Sequence, residues 1–284
     1  LIMNLQIIIN SAYQDLKKNN IKSALIDSEI LLSQAINKSR EFIILNSNYK
    51  VSEKEYWYFK EMVNQRLRGK PIAYITGKKF FWKDEFLINE KVLIPRPDTE
   101  IIVEQVLKIF KNKTKINFLD IGIGSGCILL SILKERKDFR ATGIDISNHA
   151  LKVCKINAYK LGIKNRVKLF KSDIDKFNKE KYDLIISNPP YIKNLDLTYL
   201  EKDIVKFEPK IALDGGLDGI SEIRKLIKKS SELIKNNGKL IIEIGYDQKD
   251  EVKRLLRKNS FYINSVQKDL ANNDRCIIST KIER

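Results

Sequence analysis

The sequence contains little cysteine, histidine, proline or glycine. Its 284 residues include 3 Cys, 1 His, 6 Pro and 12 Gly. Three cysteines without C-x-x-C spacing, and His149 as the one histidine, argue against a disulfide framework and a Cys/His zinc site, so no metal is expected. Few prolines and glycines, together with 43% hydrophobic residues, exclude long disordered or collagen-like segments. We expect a globular chain with a sizeable core.

Long apolar runs are also missing. No stretch approaches the ~20 apolar residues of a membrane-spanning helix, and the start lacks a basic segment followed by an apolar one. The sequence therefore predicts a cytoplasmic protein without membrane association. It begins with Leu1-Ile2 ahead of Met3, which indicates a non-native start or a fragment.

Acidic residues are outnumbered by basic ones. Lys and Arg total 53 against 36 Asp and Glu, a net charge of +17. Such an excess raises the question of a nucleic-acid or acidic protein partner. The lysines are spread over polar helix faces and loops, as in residues 108–115 and 225–235. A solvated surface is therefore the favoured interpretation, and nucleic acid is not expected as a partner.

Residues 1–77 show helical periodicity and no catalytic pattern. Apolar side chains recur three and four positions apart, Ser52 and Glu55 form a capping-box pattern, and Gly69-Lys70-Pro71 ends the last helix. The pattern predicts a small all-α domain that recognises a partner.

Residues 78–98 predict a strand-rich hairpin linker. Phe80-Phe81-Trp82 and residues 85–88 flank a turn predicted at Lys83-Asp84. The loop that follows reads I-P-R-P-D-T-E over residues 94–100 and opens a helix at about residues 99–110. Two prolines stiffen this loop and hold Arg96 in place.

Residues 99–284 alternate strands, glycine turns and helices. Strands are predicted at residues 116–121, 140–145, 166–171, 182–187 and 239–245, and helices at 127–136, 148–161, 219–235 and 248–258. This alternation predicts an α/β fold with a doubly wound, mostly parallel sheet. The last two strands, at residues 261–267 and 275–281, have only a loop between them and should pair antiparallel at the sheet edge.

A glycine turn follows the first of these strands. It comprises Asp120, Ile121, Gly122, Ile123, Gly124, Ser125 and Gly126. A dinucleotide fingerprint would require glycine where Cys127 stands, so the spacing disfavours NAD and suits the G-x-G-x-G turn of S-adenosylmethionine (AdoMet) enzymes. A turn used only for tight packing is the alternative interpretation.

Two acidic residues end the next strands. Asp145 lies about 20 residues after the glycine turn, where its carboxylate can accept hydrogen bonds from both ribose hydroxyls of a nucleotide-like ligand. At the end of the third strand, Asp173 can accept from an adenine amino group while Ile174 covers the ring. Capping a helix or a turn is the alternative role for each aspartate, although Ser147 is better placed than Asp145 to cap the following helix.

Asn188-Pro189-Pro190-Tyr191 follows the fourth strand, at the edge where open α/β sheets bind ligands. The prolines fix the loop, so the Asn188 side-chain oxygen and the Pro189 carbonyl can converge on one NH2 group while Tyr191 packs against the flat group that carries it. An amide or an exocyclic amine suits this arrangement. A rigid loop without chemistry is the alternative.

The chain resembles the release factor glutamine N5-methyltransferases, which are class I AdoMet-dependent methyltransferases. N-P-P-Y is the motif of the wider amino-methyltransferase group, whereas I-P-R-P-D-T-E, residues 77–82, Phe207-Glu208-Pro209 and Asn273-Asp274-Arg275 are similar to the release-factor enzymes. The resemblance covers nearly the whole chain and is weakest in the helical front. Ile123 departs from the threonine that is usual in the family.

The resemblance implies an enzyme that methylates a glutamine side-chain amide in class 1 peptide-chain release factors. Asn188 would contact both cofactor and substrate, Asp120 would anchor the methionyl ammonium, and Arg96, Pro97 and Glu100 would lie near the substrate entrance. Residues 1–77 would bind the release factor, and a monomer is expected. The alternatives are methylation of an exocyclic amine in a DNA or RNA base, and a non-enzymatic AdoMet-binding protein, in which loss of N-P-P-Y would be expected.

Overall fold

The structure is a computed structural model that describes residues 3–283. The Leu1-Ile2 start of the sequence lies outside the described residues. Within them, no helix is both long and apolar enough to cross a membrane. The chain divides into two compact units, one comprising the residues up to Gly77 together with Lys202–Phe207, and the other comprising Lys78–Glu201 and Glu208–Arg284.

The helices and strands of the first 77 residues form a small helical unit. In chain order they are β1 (Met3–Asn4), α1 (Leu5–Lys18), α2 (Ala24–Ile36), α3 (Arg40–Leu45), β2 (Lys50–Val51), α4 (Glu53–Leu67) and α5 (Ile72–Thr76). The predicted capping box is confirmed, because Ser52 accepts from the Glu55 N–H and the Glu55 carboxylate accepts from the Ser52 N–H. Apolar faces of the helices enclose a core that includes Leu16, Leu31 and Phe59.

The remaining elements belong to the larger unit, with one exception. In chain order they are β3 (Lys78–Phe81), β4 (Asp84–Leu87), α6 (Glu100–Ile109), β5 (Asn117–Ile121), α7 (Cys127–Glu135), β6 (Arg140–Asp145), α8 (Asn148–Lys160), β7 (Val167–Lys171), β8 (Tyr182–Ser187), α9 (Lys202–Phe207), α10 (Ser221–Leu233), β9 (Ile234–Glu243), α11 (Lys249–Lys258), β10 (Phe261–Lys268) and β11 (Asp274–Lys281). The exception is α9, which groups with the helical unit.

The predicted doubly wound sheet is confirmed. Seven strands lie in the order β10-β11-β9-β8-β5-β6-β7. The pairs from β9 to β7 are parallel, and β11 runs antiparallel to both β9 and β10, as predicted for the edge. Side chains alternate between the two faces of each strand, so Phe118 and Leu184 enter one apolar core while Leu119 and Ile185 enter the other.

Two local predictions were wrong by a few residues. The hairpin turn lies at Trp82-Lys83 instead of Lys83-Asp84, and Trp82 takes the left-handed conformation (φ 58°) that the tight turn requires. The strand predicted to begin at residue 239 begins at Ile234, which pairs with Tyr182 before an irregularity shifts the register to Leu184 and Lys239. Asn237, at φ 62°, lies within that irregularity.

A charged group is buried in the helical unit. Arg66, whose side chain is 12% exposed, donates to Asp27 at 2.7 Å and to Asp203 of α9 at 3.0 Å. The Asp27 side chain is only 4% exposed. Removing one member of such a group leaves a buried charge without its partner, which costs far more than loss of a surface ion pair.

We therefore predict that Arg66→Ala lowers the stability of the helical unit by about 3 kcal/mol. Arg40→Ala is the matched control, because the Arg40 side chain is 46% exposed in its pair with Glu29 and its loss should cost less than about 1 kcal/mol. Hydrogen exchange of the α2 and α4 amides in the full chain measures both effects. Equal protection in the two variants would contradict the prediction.

Candidate active site

The predicted site residues of the glycine turn and the N-P-P-Y loop leave the sheet side by side. β5 pairs with β6 on one side and with β8 on the other, and Ile121 and Ser187 are partners at the carboxyl ends of β5 and β8. The Ser187 hydroxyl donates to the Ile121 carbonyl at 2.7 Å. The two segments therefore start from adjacent, hydrogen-bonded strand ends, at the edge where open α/β sheets bind ligands.

The glycine turn folds back onto the end of β6. The N–H groups of Gly122 and Ile123 donate to the Ile144 carbonyl at 2.9 and 3.2 Å, and the Gly126 N–H donates to the Ile123 carbonyl at 2.8 Å. The Ser125 carbonyl accepts from the buried Asn157 side chain at 2.9 Å. Ile123, the departure from the family pattern, thus takes part through its backbone, which any residue type supplies.

The glycines of the turn serve two different purposes. A Cβ on Gly122 or Gly124 would meet no atom within 4 Å, whereas a Cβ on Gly126 would lie 2.5 Å from the Cys154 sulfur. Gly126 therefore allows α7 to pack closely against α8. Gly122 and Gly124, both with positive φ, leave open space beside the backbone that a ligand can occupy.

Asp145 braces the glycine turn. One of its oxygens accepts from the Gly124 N–H at 3.1 Å and the other from the Ser147 N–H at 2.9 Å. The cap of α8 is provided by Ser147, which accepts from the Ala150 N–H, as the sequence indicated. Each carboxylate oxygen of Asp145 has a second lone pair, so the brace leaves capacity for ligand hydroxyls.

Asp120 is a buried carboxyl at the end of β5. It is 1% exposed, and neither oxygen has a hydrogen-bond partner of good geometry within the described residues. Burial, and secondarily the charge of Asp145, raise the pKa of Asp120 to about 8. A carboxyl in this state is suited to a cationic ligand, which would supply the missing partner and favour ionisation.

Asp173 and Ile174 follow β7. One Asp173 oxygen accepts from the Asp175 N–H at 3.1 Å, so this side chain caps a short turn, the alternative role considered for it. Ile174 is 8% exposed and packs in the core on one face of the sheet. Recognition of an adenine ring by these two residues stays a prediction.

The N-P-P-Y loop is tied to neighbouring segments at both ends. Asn188 Nδ2 donates to the Thr99 hydroxyl at 3.1 Å, and the Tyr191 hydroxyl donates to Glu243 Oε1 at 3.0 Å. The Tyr191 carbonyl accepts from the Gln248 side chain at 2.8 Å. These bonds fix the loop and leave Asn188 Oδ1 as the acceptor end of its amide.

Glu243 lies at the carboxyl end of β9 and is 1% exposed. Burial raises the pKa of its carboxyl to about 7, although the nearby Thr99 and Tyr191 hydroxyls and the charge of Arg275 lower it. Oε1 of Glu243 accepts from the Tyr191 hydroxyl, whereas Oε2 has no hydrogen-bond partner of good geometry within the described residues.

The I-P-R-P-D-T-E loop is held by Glu208. This glutamate, whose side chain is 1% exposed, accepts from Arg96 at 2.5 Å and from the Ile94 N–H at 3.3 Å. Pro97 begins the short 3-10 turn that leads to Thr99. Glu100 accepts from the Trp82 N–H at 2.7 Å, so its carboxylate braces the hairpin turn.

Thr99, Glu243 and Gln248 were not recognised in the sequence. Thr99 stands inside the I-P-R-P-D-T-E motif, in which the arginine and the prolines carry the sequence signal. Glu243 is the last residue of a strand adjacent to β8, and the rule that places ligands at the carboxyl ends of parallel strands could have found it. Gln248 carries no sequence signal, because its role depends on a distant carbonyl.

The arrangement fits a methyl-donor cofactor beside an acceptor NH2 group. Open backbone at Gly122 and Gly124, and a buried carboxyl at Asp120 that lacks a partner, suit an extended ligand with a cationic end. No group of three or more potential metal-ligating side chains occurs among residues 3–283.

Comparisons with known proteins agree with this geometry. A model of the PrmC N-terminal domain matches residues 8–77, and a model of a methyltransferase domain matches residues 112–281. The release factor glutamine methyltransferase of Clostridium acetobutylicum is 37% identical over 273 residues, which are 95% of this chain and 96% of that protein. The protein of the same name from Buchnera aphidicola subsp. Acyrthosiphon pisum is 37% identical over 282 residues, 99% of this chain and 100% of that protein.

The fold is shared with more distant proteins. A crystal structure of a methyltransferase from Pyrococcus furiosus superposes with a TM-score of 0.53 at 18% identity, covering 70% of this chain and 89% of that one. At this identity the likeness concerns the fold alone.

The raised pKa of Asp120 predicts a pH-dependent stability of the ligand-free protein. Between an ordinary aspartate pKa of about 4 and the folded value of about 8, the folded chain holds a proton here that the unfolded chain has lost. The contribution of this proton to the free energy of unfolding is fully present below about pH 4. It is lost as the pH rises towards 8, by at most about 1.4 kcal/mol per pH unit. Asp120→Asn should remove this slope.

Urea unfolding at intervals from pH 5 to pH 8 measures the difference between wild type and variant. Asp218→Asn is the control, because Arg224 lowers the pKa of Asp218 to about 2, so that it is ionised in both states throughout this range. Parallel pH curves for wild type and Asp120→Asn would show that Asp120 is ionised in the folded chain.

Proposed function

Because the chain belongs to the release factor glutamine methyltransferase family, we propose that it transfers a methyl group from AdoMet to the side-chain amide nitrogen (N5) of a glutamine in class 1 peptide-chain release factors. Its relatives by that name match it over nearly their full length. A release-factor substrate implies that the enzyme works in the cytoplasm.

The orientation of Asn188 is the observation that carries the proposed chemistry. A glutamine amide offers two N–H groups from one planar nitrogen. Asn188 Nδ2 is engaged with Thr99, so its Oδ1 is available to accept one of these N–H groups, and the carbonyl of the adjacent Pro189 is the second acceptor. Tyr191, on the same loop, is the side chain that we expect to pack against the acceptor amide.

The cofactor's place is proposed from the residues that fit it. The backbone at Gly122, Ile123, Gly124, Ser125 and Gly126 would lie along AdoMet, Asp120 would take its ammonium group, Asp145 its ribose hydroxyls, and Asp173 with Ile174 its adenine. When bound, AdoMet supplies an electrophilic methyl group on a sulfonium centre. The unpartnered oxygens of buried Asp120 support this placement, because a cation would offset the cost of that carboxyl.

The protein's contribution to catalysis is mainly orientation. An amide nitrogen is a poor nucleophile because its lone pair is delocalised into the carbonyl. Two fixed acceptors hold its N–H bonds and direct the lone pair, and orientation of this kind can contribute up to about 7–11 kcal/mol. The acceptors' hydrogen bonds strengthen as the nitrogen becomes positive, and that nitrogen then loses one proton to water, so no strong base is required.

The loop bearing Arg96 and Pro97 is proposed to border the substrate entrance. Its rigidity follows from Glu208, which holds both the Arg96 side chain and the Ile94 backbone. Glu100 supports the neighbouring hairpin. The helical domain of residues 1–77 is proposed to recognise the release factor, and the 78–98 hairpin to link it to the catalytic domain of residues 99–284.

A labelling experiment tests the proposal. We expect methyl-labelled AdoMet to leave its label on a release-factor glutamine when the chain is mixed with release factors and with cellular RNA and DNA, as located by mass spectrometry. Label confined to an exocyclic base amine would establish the alternative acceptor and refute the release-factor proposal.

Asn188→Ala should lower the transfer rate by at least about 100-fold, because it removes one of the two acceptors. AdoMet affinity, measured by calorimetry, should change little. Asn165→Ala, at an exposed asparagine of the same unit, is the matched control and should behave as wild type. Loss of AdoMet binding in Asn188→Ala equal to the loss of transfer would mean that Asn188 serves the cofactor and not the acceptor.

A further inference from the structure

We propose that Gln248 is a positioning residue for methyl transfer, because its side-chain amide holds the backbone of the N-P-P-Y loop at Tyr191. The inference rests on the proposed function, since it concerns the loop that would hold the acceptor amide. Gln248 lies 57 residues further along the chain than Tyr191, immediately before α11, and it is only 5% exposed.

The Gln248 amide uses both of its hydrogen atoms. Nε2 donates to the Tyr191 carbonyl at 2.8 Å and to the Gly219 carbonyl at 3.0 Å, and Oε1 accepts from the Gly245 N–H at 2.9 Å. A primary amide carries two N–H donors on its nitrogen and an acceptor oxygen. Rotation of this amide by 180° would set its oxygen against two carbonyls and its nitrogen against an N–H. Only one orientation therefore satisfies all three backbone groups.

The backbone segments that this amide joins are closely packed. A Cβ on Gly219 would lie 2.8 Å from the Tyr191 carbonyl oxygen and 2.9 Å from Gln248 Nε2. A Cβ on Gly215 would lie 2.9 Å from the Tyr191 carbonyl carbon. Because glycine stands at both positions, the 215–219 segment can approach the loop and still leave room for the amide.

Holding Tyr191 restricts the direction of the Pro189 carbonyl, the second acceptor of the proposed chemistry. The proline rings fix φ of Pro189 and Pro190, so rotation about ψ of each is the freedom that they keep. The strand end that leads into the loop is fixed by Ser187, whose hydroxyl donates to the Ile121 carbonyl at 2.7 Å. With the chain held before and after the two prolines, these rotations are restricted together.

Tyr191 is held at two points by the segment that follows β9. Its hydroxyl donates to Glu243 Oε1 at 3.0 Å, and its carbonyl accepts from Gln248. β9 itself pairs with β8, the strand that carries the loop. The bond from Gln248 is the one that reaches the loop backbone, so its loss should displace the Pro189 carbonyl.

The first test removes the hydrogen bonds of Gln248 and keeps the length of the side chain. Gln248→Met should slow the single-turnover rate of methyl transfer by up to about 100-fold, because a displaced acceptor misaligns the reacting nitrogen. The affinities for AdoMet and for the release factor, measured by calorimetry, should change by less than about twofold, since alignment matters most in the transition state. Gln105→Met, the same change at a glutamine of α6 that is 6% exposed, is the matched control and should transfer at the wild-type rate.

The second test restores a donor by protonation. The carboxylate introduced by Gln248→Glu can accept from the Gly245 N–H but cannot donate to the Tyr191 carbonyl, so transfer should be slow at about pH 8. As the pH is lowered to about 5, the carboxyl takes up a proton that it can donate to Tyr191, and the ratio of variant to wild-type rate should rise. The ratio for Gln248→Met should stay constant.

Gln248→Met also corrects the second test for neighbouring charges. The charged groups that line the surface cleft beside Gln248 are Lys193, Asp218, Arg224, Asp247 and Glu251. They are present in both variants and in the wild type, so the difference between the two ratios reports the introduced carboxyl.

Three results would overturn the proposal. The first is a Gln248→Met variant that transfers methyl groups at the wild-type rate. Equal losses of AdoMet binding and of transfer in that variant are the second, because they would assign Gln248 to the fold of the cofactor site. The third is a Gln248→Glu ratio that does not rise above the Gln248→Met ratio as the pH falls.

The two proposals fail in distinguishable ways. The identity of the molecule labelled by the wild-type chain decides the proposed function. The ratio of variant to wild-type rate decides the role of Gln248, and it is measured on whichever acceptor the wild-type chain labels, because a base amine would also donate an N–H to the Pro189 carbonyl.

Discussion

The hydrogen bond from the Ser187 hydroxyl to the Ile121 carbonyl joins the two strand ends on which the chemistry depends. It is 2.7 Å long and buried. Neighbouring strands lie about 4.8 Å apart, so the glycine turn after β5 and the N-P-P-Y loop after β8 begin within one strand spacing. The cofactor proposed to lie along the first segment and the acceptor proposed to be held by the second would then be adjacent because the two strands are paired in the sheet.

Two buried carboxyls flank this point, and their surroundings differ. Asp120 is the penultimate residue of β5 and Glu243 is the last residue of β9, and these two strands lie on either side of β8. Both have a raised pKa, which means that burial costs stability at each position. Asp120 has no hydrogen-bond partner of good geometry within the described residues, whereas Glu243 accepts from the Tyr191 hydroxyl through Oε1. Asp120 therefore suits a cationic group of a ligand, whereas Glu243 holds a side chain of the protein itself, that of Tyr191.

Much of the fold and of the candidate site could be predicted from the sequence, because both depend on local sequence patterns. Strand–turn–helix alternation predicted the parallel sheet, and G-x-G-x-G and N-P-P-Y marked the two segments at its carboxyl edge. Thr99 and Glu243 were missed because they act through partners that lie far away along the chain: Asn188 is 89 residues from Thr99, and Tyr191 is 52 residues from Glu243. The spacing of Asp145 predicts a ligand role, whereas its hydrogen bonds from the Gly124 and Ser147 N–H groups depend on the fold of the turn, which the spacing does not specify.

The grouping of α9 with the helical unit means that this unit is not a detachable module. The chain leaves the larger unit after Glu201, forms α9 against residues such as Gly69 and Arg66, and returns at Glu208, which holds Arg96. A cut after residue 77 would therefore remove the partners of a segment that remains in the catalytic fragment. Exchange of the front of the chain between relatives, in the laboratory or in evolution, would have to carry residues 202–207 along with it.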